Sequence, residues 1–271
     1  TFGGGGHSKE ILKHLGAKGK LIVFDQDADA KKNVPDDNRV IFVPENFRYA
    51  ARFVRLYKLK SLDGVLADLG VSSYQFDTAE RGFSTRFDAQ LDMRMDKRNP
   101  VSAIDVLNTY SELKLQKLFE HYGEVTNAKV LAKTIVLNRN NHSITTTNEF
   151  KQTIGNCIYG NPNKYLAQVF QALRIEVNDE LNALKEFLTS ITKALSKEGR
   201  LCIITFHSLE DRIVKQWIKN EHFEEDHLSL LPAKTEHTII STTKKPITPT
   251  EKEISHNPRS RTAKLREASK K

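Results

Sequence analysis

The chain has 271 residues, of which 38% are hydrophobic and 28% charged, so it is long enough to build one large domain, or one domain with an insertion. No apolar run reaches the length needed to cross a bilayer, which excludes a transmembrane helix. The two cysteines, Cys157 and Cys202, are far apart and lack the spacing of metal ligands. They predict two reduced thiols in a cytosolic protein.

The net charge of +8 is unevenly spread along the chain. Residues 244–271 hold nine lysine and arginine residues against three glutamates. A basic segment of this kind attracts polyanions such as nucleic acid. A tail that only keeps the protein soluble explains the charge equally well, so charge alone leaves both interpretations open.

A glycine run, TFGGGGHS, occupies residues 1–8 and leads into an amphipathic helix predicted over 8–15. A buried strand predicted over 20–25 follows and ends on Asp25. Glycine permits positive φ and close approach to a ligand, and a helix start offers free N–H groups. Gly6 and Asp25 lie nineteen positions apart, close to the spacing between a nucleotide-binding loop and the acid that holds a ribose. The alternative, a flexible turn, is disfavoured by the order of loop, helix, strand and acid.

Helices and strands alternate through the first seventy residues, with further strands predicted over 39–43 and 64–68. Such alternation predicts an α/β fold, a mostly parallel doubly wound sheet with helices on both faces. Ligands of such sheets bind beyond the carboxyl ends of the strands, so the glycine loop, Asp25, Phe47 and Asp68 are expected to meet there. A loop of this type normally follows a central strand, so we expect the molecule or its numbering to lack a native N-terminal segment.

The alternation stops after Asp68. Helical patterns lie over 111–122, 127–138 and 147–158, and no strand pattern is convincing between 77 and 163. We therefore predict a discontinuous α/β domain over 1–76 and 164–243 with an inserted helical domain over 77–163. The basic tail, 244–271, is predicted to be extended or partly disordered.

Apolar residues recur every three or four positions from Leu166 to Leu195, which predicts one long helix. Gly199 is expected to end it before a buried strand over 200–206. His207 then lies where this strand gives way to the next helix, with Ser208 and Asp211 at the spacing of a capping box. A late strand is predicted over 238–243.

Several of these stretches together resemble the bacterial ribosomal small-subunit RNA methyltransferase H family, also called MraW. The resemblance runs nearly end to end, and its motifs are TFGGGGHS at 1–8, FDQD at 24–27, DLGVSSYQ at 68–75, AERGFS at 79–84, LDMRMD at 91–96, FQALRIEVN at 170–178, FHSLEDRIVK at 206–215 and NPRSR at 257–261. Two departures stand out. The family's acid before the glycine loop is absent, and Glu176 replaces a residue that is usually aromatic.

The resemblance implies a Rossmann-like, class I methyltransferase fold that uses S-adenosylmethionine to methylate N4 of a cytosine in the decoding region of 16S rRNA. The small ribosomal subunit or its RNA is the implied partner, in the cytoplasm, with no membrane and no metal. A homodimer is an open alternative. The cofactor residues carried over from the family are Gly5, Gly6, His7, Asp25, Phe47, Asp68 and Gln75.

For catalysis, the resemblance suggests that the Asp68 carboxylate and the Leu69 carbonyl orient the cytosine amino group. The alternative is that Asp68 serves only the cofactor. The residues expected to hold the RNA are Tyr74, Arg81, Phe83, Arg94, Arg174, His207, Arg259 and Arg261.

Three other functions are compatible with parts of the sequence. A nicotinamide-dependent oxidoreductase also uses a glycine loop and an acid, but the DLGVSS loop and the family motifs disfavour it. A non-catalytic RNA-binding or ribosome-assembly protein would keep the fold without methyl transfer. A methyltransferase of small molecules is disfavoured by the large insertion and the basic tail.

Overall fold

The computed structural model describes residues 1–223 and 237–271, so residues 224–236 of the predicted 164–243 segment lie outside the described part. The chain divides into two compact units. The first, called here the sheet unit, comprises Thr1–Gly70 and Leu181–Lys271. The second, the helical unit, comprises Val71–Glu180. None of the described helices is both long and apolar enough to span a membrane.

The strands are β1 Leu21–Phe24, β2 Val40–Val43, β3 Leu62–Asp68, β4 Leu195–Thr205, β5 Ile239–Ser241 and β6 Lys264–Lys270. The helices are α1 Gly6–His14, α2 Ala50–Leu56, α3 Ser73–Asp77, α4 Ala103–Thr109, α5 Glu112–Gly123, α6 Ala128–Arg139, α7 Thr147–Thr153, α8 Pro162–Asn178, α9 Glu180–Ala194, α10 Ser208–Asn220 and α11 Glu251–His256. Short 3-10 helices occupy Ala28–Asn33, Phe47–Tyr49, Ala79–Arg81, Gly155–Cys157 and Pro258–Thr262.

The strands of the sheet unit form two hydrogen-bonded groups. β1 and β2 pair in parallel, from Leu21 opposite Val40 to Phe24 opposite Val43. The other group has the order β3-β4-β6-β5, in which β3 and β4 are parallel and β6 is antiparallel to both of its neighbours. The α/β class is therefore confirmed, and so is the late strand predicted over 238–243.

Short apolar runs form β1 to β4 because they are buried by helices. The core of the sheet unit includes the fully buried Leu201 and Ile203 of β4, Leu188 of α9 and Val214 of α10. Runs with apolar residues at successive positions are typical of parallel strands covered on both faces. Cys157 and Cys202 are both free thiols.

Residues 264–270 do not form an extended tail, which corrects the prediction for this part of 244–271. They form β6, which lies between β4 and β5, and Ala268 is 0% exposed there. Two of the charges that suggested a solvated tail are paired with α10: Arg266 donates to Asp211 at 2.7 and 3.2 Å, and Lys264 donates to the same carboxylate at 3.2 Å. Residues 251–262 form α11 and a 3-10 helix rather than extended chain.

The predicted long helix is two helices, because Asp179 adopts a left-handed conformation with φ 50° between α8 and α9. The apolar residues that recur every three or four positions from Leu166, called here the apolar stripe, do lie on helices as far as Ile191. The two halves of this stripe, however, pack into different cores. Leu173 and Val177 pack in the core of the helical unit, whereas Leu184 and Leu188 pack in the core of the sheet unit. The strand that follows also begins earlier than predicted, at Leu195.

The helical unit is built around its own core, which includes the fully buried side chains of Phe119, Leu131, Phe150 and Leu173. The helices predicted over 111–122 and 127–138 are confirmed as α5 and α6. The third is shorter than predicted, since α7 ends at Thr153. The unit includes α8, so it extends beyond the predicted insertion of 77–163 at both ends.

We expect Ala268→Asp to destabilise the protein by more than about 3 kcal/mol, because it places an unpaired carboxylate in the core of the sheet unit. The matched control is Ser269→Asp on the next residue of β6, whose side chain is half-buried and which should cost much less. Urea unfolding of both variants measures the difference. Equal losses would contradict the assignment of β6 to the sheet.

Candidate active site

The glycine loop is held in shape by Phe2. Gly5, the residue before α1, has φ 76°, and its N–H donates to the Phe2 carbonyl at 2.9 Å. A Cβ atom on Gly5 would lie 2.8 Å from the Phe2 ring, which is buried with Val23 and Ala30. Only glycine fits both the left-handed backbone and this contact, so the loop itself requires Gly5.

Asp25, directly after β1, fastens the loop to the sheet. Its carboxylate accepts the Gly3 N–H at 2.7 Å through Oδ2 and the Asp27 N–H at 2.9 Å through Oδ1. Burial raises the pKa of Asp25, while these two backbone hydrogen bonds act in the opposite direction. Each carboxylate oxygen can accept a second hydrogen bond, so Asp25 can still bind a ribose.

Asp68, the last residue of β3, is contacted from two sides. The Thr1 hydroxyl accepts the Asp68 N–H at 2.9 Å and donates to the Asp68 carbonyl at 2.6 Å. His7 Nε2 of α1 lies 3.6 Å from Asp68 Oδ2. The other carboxylate oxygen, Oδ1, is buried and has no hydrogen-bond partner among the described residues.

Phe47 begins the 3-10 helix that follows β2, and its half-buried ring packs edge-to-face on Phe187 with 5.2 Å between centroids. Asn46 caps this helix by accepting the Arg48 N–H at 2.9 Å. Its amide also donates to Gln26 Oε1 at 2.9 Å, so the carboxyl ends of β1 and β2 are joined. The sheet unit therefore brings the predicted residues Gly5, Gly6, His7, Asp25, Phe47 and Asp68 to the carboxyl ends of β1, β2 and β3.

Leu69 follows Asp68 and is nearly buried, with its N–H donating to the Ile204 carbonyl of β4 at 3.0 Å. This hydrogen bond fixes the backbone immediately after β3. The predicted pair of Asp68 and Leu69 thus has a defined backbone position at the edge where the other site residues lie.

S-adenosylmethionine carries ribose hydroxyls, an adenine amino group and an ammonium group, all of which are donors that carboxylates accept. The sheet unit offers as acceptors Asp25 and the buried Oδ1 of Asp68, which has no partner among the described residues. A Cβ atom built on Gly4 or Gly6 meets no atom within 4 Å, so the loop has open space beside it. The residues present fit this cofactor.

Gln75 and Tyr74 lie in the helical unit, on α3. Gln75 is buried and completes a capping box, donating its N–H to Ser72 Oγ at 3.2 Å and accepting the Ser72 N–H at 3.0 Å. Tyr74 is 51% exposed. The cofactor role of Gln75 and the RNA role of Tyr74 stay predictions.

Four more predicted RNA-contact residues make contacts within the helical unit. Arg81 is buried and donates to the carbonyls of Arg94 and Met95, at 2.9 and 3.3 Å. Phe83 is buried in the core. Arg94 pairs with Asp92, and Arg174 donates through two nitrogens to Glu180, at 2.8 and 3.0 Å. The motifs at 79–84 and 91–96 are thus bonded to each other, and their RNA role stays a prediction.

The remaining predicted residues belong to the sheet unit. His207 caps α10 and forms a capping box with Glu210, so the predicted pair of Ser208 and Asp211 is wrong by one position. The error arises because an imidazole nitrogen takes the place of the hydroxyl that usually caps a helix. Arg259 and Arg261 are exposed on the 3-10 helix Pro258–Thr262.

Sequence reasoning placed the glycine loop at this site but assigned no contact to Thr1, Gly3, Gln26 or Asn46. Thr1 and Gly3 hold the loop to Asp68 and Asp25. The Asn46–Gln26 hydrogen bond joins two strand ends. Both Gln26 and Asn46 closely follow predicted strands. That position after a strand is the signal by which the sequence could have identified them.

The fold and the site define an α/β protein whose predicted cofactor residues of the sheet unit lie at the carboxyl ends of its strands, the edge where ligands of such sheets bind. The sequence profile of the MraW methylase family matches residues 1–271, and the chain belongs to this family. It is 50% identical to the ribosomal RNA small subunit methyltransferase H of Christiangramia forsetii, over 100% of this chain and 89% of that protein.

Other relatives carry the same name. The protein from Flavobacterium johnsoniae is also 50% identical, with 100% of this chain and 89% of that protein covered. The protein from Bacteroides thetaiotaomicron is 50% identical, with 100% of this chain and 90% of that protein covered.

We expect Gly6→Ala to weaken S-adenosylmethionine binding at least about tenfold while leaving the fold intact. The new methyl group enters the open space beside the loop, and alanine is a better helix former than glycine by about 1 kcal/mol. Gly16→Ala is the matched control, because its Cβ atom also meets nothing within 4 Å. Isothermal titration calorimetry measures both affinities; unchanged binding by Gly6→Ala would place the cofactor elsewhere.

We expect the pKa of His7 to lie above its ordinary value of 6.5, because Asp68 accepts a hydrogen bond from the ring, an effect that burial only partly offsets. The pair is then fully formed below pH 6.5, and its contribution to stability is lost as the pH rises through the folded-state pKa. Since both side chains are partly exposed, that contribution is small.

An NMR titration of the His7 ring measures this pKa directly. Asp68→Asn should return it towards the ordinary value, whereas Asp63→Asn, at the other end of β3, should leave it raised. If the pKa of His7 is the same in Asp68→Asn as in the unmodified protein, the pairing of His7 with Asp68 is contradicted.

Proposed function

We propose that this protein transfers a methyl group from S-adenosylmethionine to N4 of a cytosine in the decoding region of 16S rRNA, in the cytoplasm. The observation that carries the proposal is the 50% identity, over the whole chain, to relatives named ribosomal RNA small subunit methyltransferase H. The carboxylates and open glycines at the strand ends support it, because they fit the cofactor that such a reaction needs.

When bound, S-adenosylmethionine supplies a methyl group on a sulfonium, which is already a good electrophile. The residues of the chain have to bind and orient the two reactants. Asp25 is suited to the ribose hydroxyls, and Phe47 offers an aromatic face for the adenine. The free N–H groups at the start of α1, after Gly5, suit the carboxylate of the methionine portion.

Asp68 and Leu69 are proposed to orient the cytosine amino group. The lone pair of this nitrogen is delocalised into the ring, so an acceptor that binds its N–H favours a more tetrahedral nitrogen and stabilises developing positive charge. Asp68 Oδ1 supports this role, as a buried acceptor without a partner among the described residues. The competing role of Asp68, binding only the cofactor, would use the same oxygen.

The target base has to leave its stack to reach the strand ends. Tyr74 is exposed and suited to stacking on a base, and Arg259 and Arg261 are exposed cations suited to phosphates. Arg81, Phe83, Arg94, Arg174 and His207 also stay in the proposal. Their contacts within the protein would then position them as well as stabilise the fold.

We expect small ribosomal subunits that lack the modification to accept a labelled methyl group from S-adenosylmethionine, and N4-methylated cytidine to carry the label after digestion to nucleosides. Mass spectrometry of RNA from cells with and without the protein maps the nucleotide. Label in another nucleoside would contradict the proposed substrate atom, and no transfer by the intact protein would leave only an RNA-binding role.

We expect Asp68→Asn to lower the rate of methyl transfer by about 100-fold or more, the scale of a lost general base or oriented acceptor. Cofactor affinity should change little if Asp68 acts on the cytosine. Asp63→Asn on the same strand is the control and should keep full activity. If Asp68→Asn loses cofactor affinity and recovers its rate at saturating cofactor, Asp68 serves the cofactor alone.

A further inference from the structure

The basic charge of the protein does not lie on the helical unit. Residues 71–180 hold 13 lysine and arginine residues and 13 aspartate and glutamate residues, so the excess of +8 belongs to the rest of the chain. Part of that excess is concentrated over residues 46–62, which hold five basic residues and no acidic one. This segment contains α2 and the chain that leads into β3.

A cleft of about 450 Å³ lies between this segment and α9, within the sheet unit. Arg48, Arg52, Arg55 and Lys60 line one side, and Lys193 lines the other. Thr189 and Ser190 of α9 also line it. Among the lining residues of the described chain, Glu186 carries the one carboxylate, and its Oε1 lies 3.7 Å from Arg48 Nη1.

The cations of the cleft differ from those of β6. Lys264 and Arg266 are paired with Asp211, and Lys270 donates to the carbonyls of Lys193 and Leu195, at 3.1 and 2.8 Å. In the described part of the chain, Arg55, Lys60 and Lys193 are exposed and form no ion pair. Three exposed cations that form no ion pair in the described part of the chain therefore line one cleft.

Aromatic side chains are interleaved with these cations. The Arg52 guanidinium lies over the Tyr49 ring, 4.9 Å from its centroid. Tyr57, directly after α2, is 38% exposed on the same basic segment, although it does not line the cleft itself. Cations that follow a groove, together with exposed aromatic rings, are typical of surfaces that bind single-stranded nucleic acid.

We propose that this cleft, called here the α2–α9 cleft, binds the phosphate backbone of RNA and holds the substrate on the sheet unit. The inference rests on the proposed function, because it takes ribosomal RNA as the polyanion. Arg48 directly follows Phe47 of the candidate site, so the cleft begins at the strand end where the cofactor is proposed to bind. Phosphate contacts of this kind fix the register of an RNA without reading its sequence.

The test compares two triple variants that remove the same charge. Arg52→Gln/Arg55→Gln/Lys193→Gln changes the cleft, and Lys18→Gln/Lys215→Gln/Lys219→Gln changes exposed lysines that do not line it. Affinity for small-subunit RNA is measured at several salt concentrations, with S-adenosylmethionine affinity as a check on folding. The cleft variant should bind RNA at least about tenfold more weakly at low salt. Its salt slope, the slope of the logarithm of the binding constant against the logarithm of the salt concentration, should be smaller in magnitude by about 2. The control should match the unmodified protein.

A change of opposite sign gives a second readout. Glu186→Gln removes the carboxylate that competes with phosphate, so it should raise RNA affinity a few-fold at low salt, whereas Glu120→Gln, an exposed residue of α5, should not. RNA should also protect Lys60 and Lys193 from acetylation in the unmodified protein and leave Lys215 and Lys219 reactive.

The proposal is overturned if the cleft variant and the lysine control bind RNA with equal affinity and salt slope. It is also overturned if the cleft variant loses binding to anionic vesicles or acidic peptides but not to RNA. Failure of the proposed function is distinguishable: a protein that binds RNA through the cleft but transfers no methyl group contradicts the function, whereas methyl transfer with an unchanged salt slope contradicts the cleft.

Discussion

The site depends on hydrogen bonds that fasten one glycine loop to the ends of two strands. Gly3 donates to the Asp25 carboxylate after β1, and the Thr1 hydroxyl bridges the N–H and carbonyl of Asp68 at the end of β3. Phe2 anchors the loop in a small core, and Gly5 lets the backbone pass its ring. These contacts hold the glycine loop in place, although glycine itself is flexible. They leave open space at Gly6 and a buried hydrogen-bond acceptor, Oδ1, at Asp68.

Much of this fold could be predicted from the sequence, because buried parallel strands are apolar at successive positions and the acids that end them stand out. The break at Asp179 could not, since the stripe keeps its spacing across it: Val177 and Leu181 are four positions apart. Aspartate tolerates the left-handed conformation, so the helix ends here without the glycine that usually marks such an end in a sequence. β6 was missed because Arg266 and Lys264 look solvated in the sequence, yet they pair with Asp211, more than fifty residues away.

The same limits apply to the site. Asp25 and Asp68 could be predicted from their positions after strands. The α2–α9 cleft could not, since Lys193 joins Arg52 and Arg55 only in the folded sheet unit. The motif at 79–84 looked like an RNA surface, but the buried Arg81 binds backbone carbonyls of the motif at 91–96. Charge that is counted along a sequence therefore predicts a partner better than it predicts the surface that binds it.

The most direct test of the account is a crystal structure of the protein with S-adenosylmethionine bound. We expect the ribose hydroxyls within hydrogen-bond distance of the Asp25 carboxylate, an amino group of the cofactor or the substrate at Asp68 Oδ1, and the methionine portion beside Gly6. A cofactor that contacts neither carboxylate, or that binds away from the carboxyl ends of β1 and β3, would contradict it.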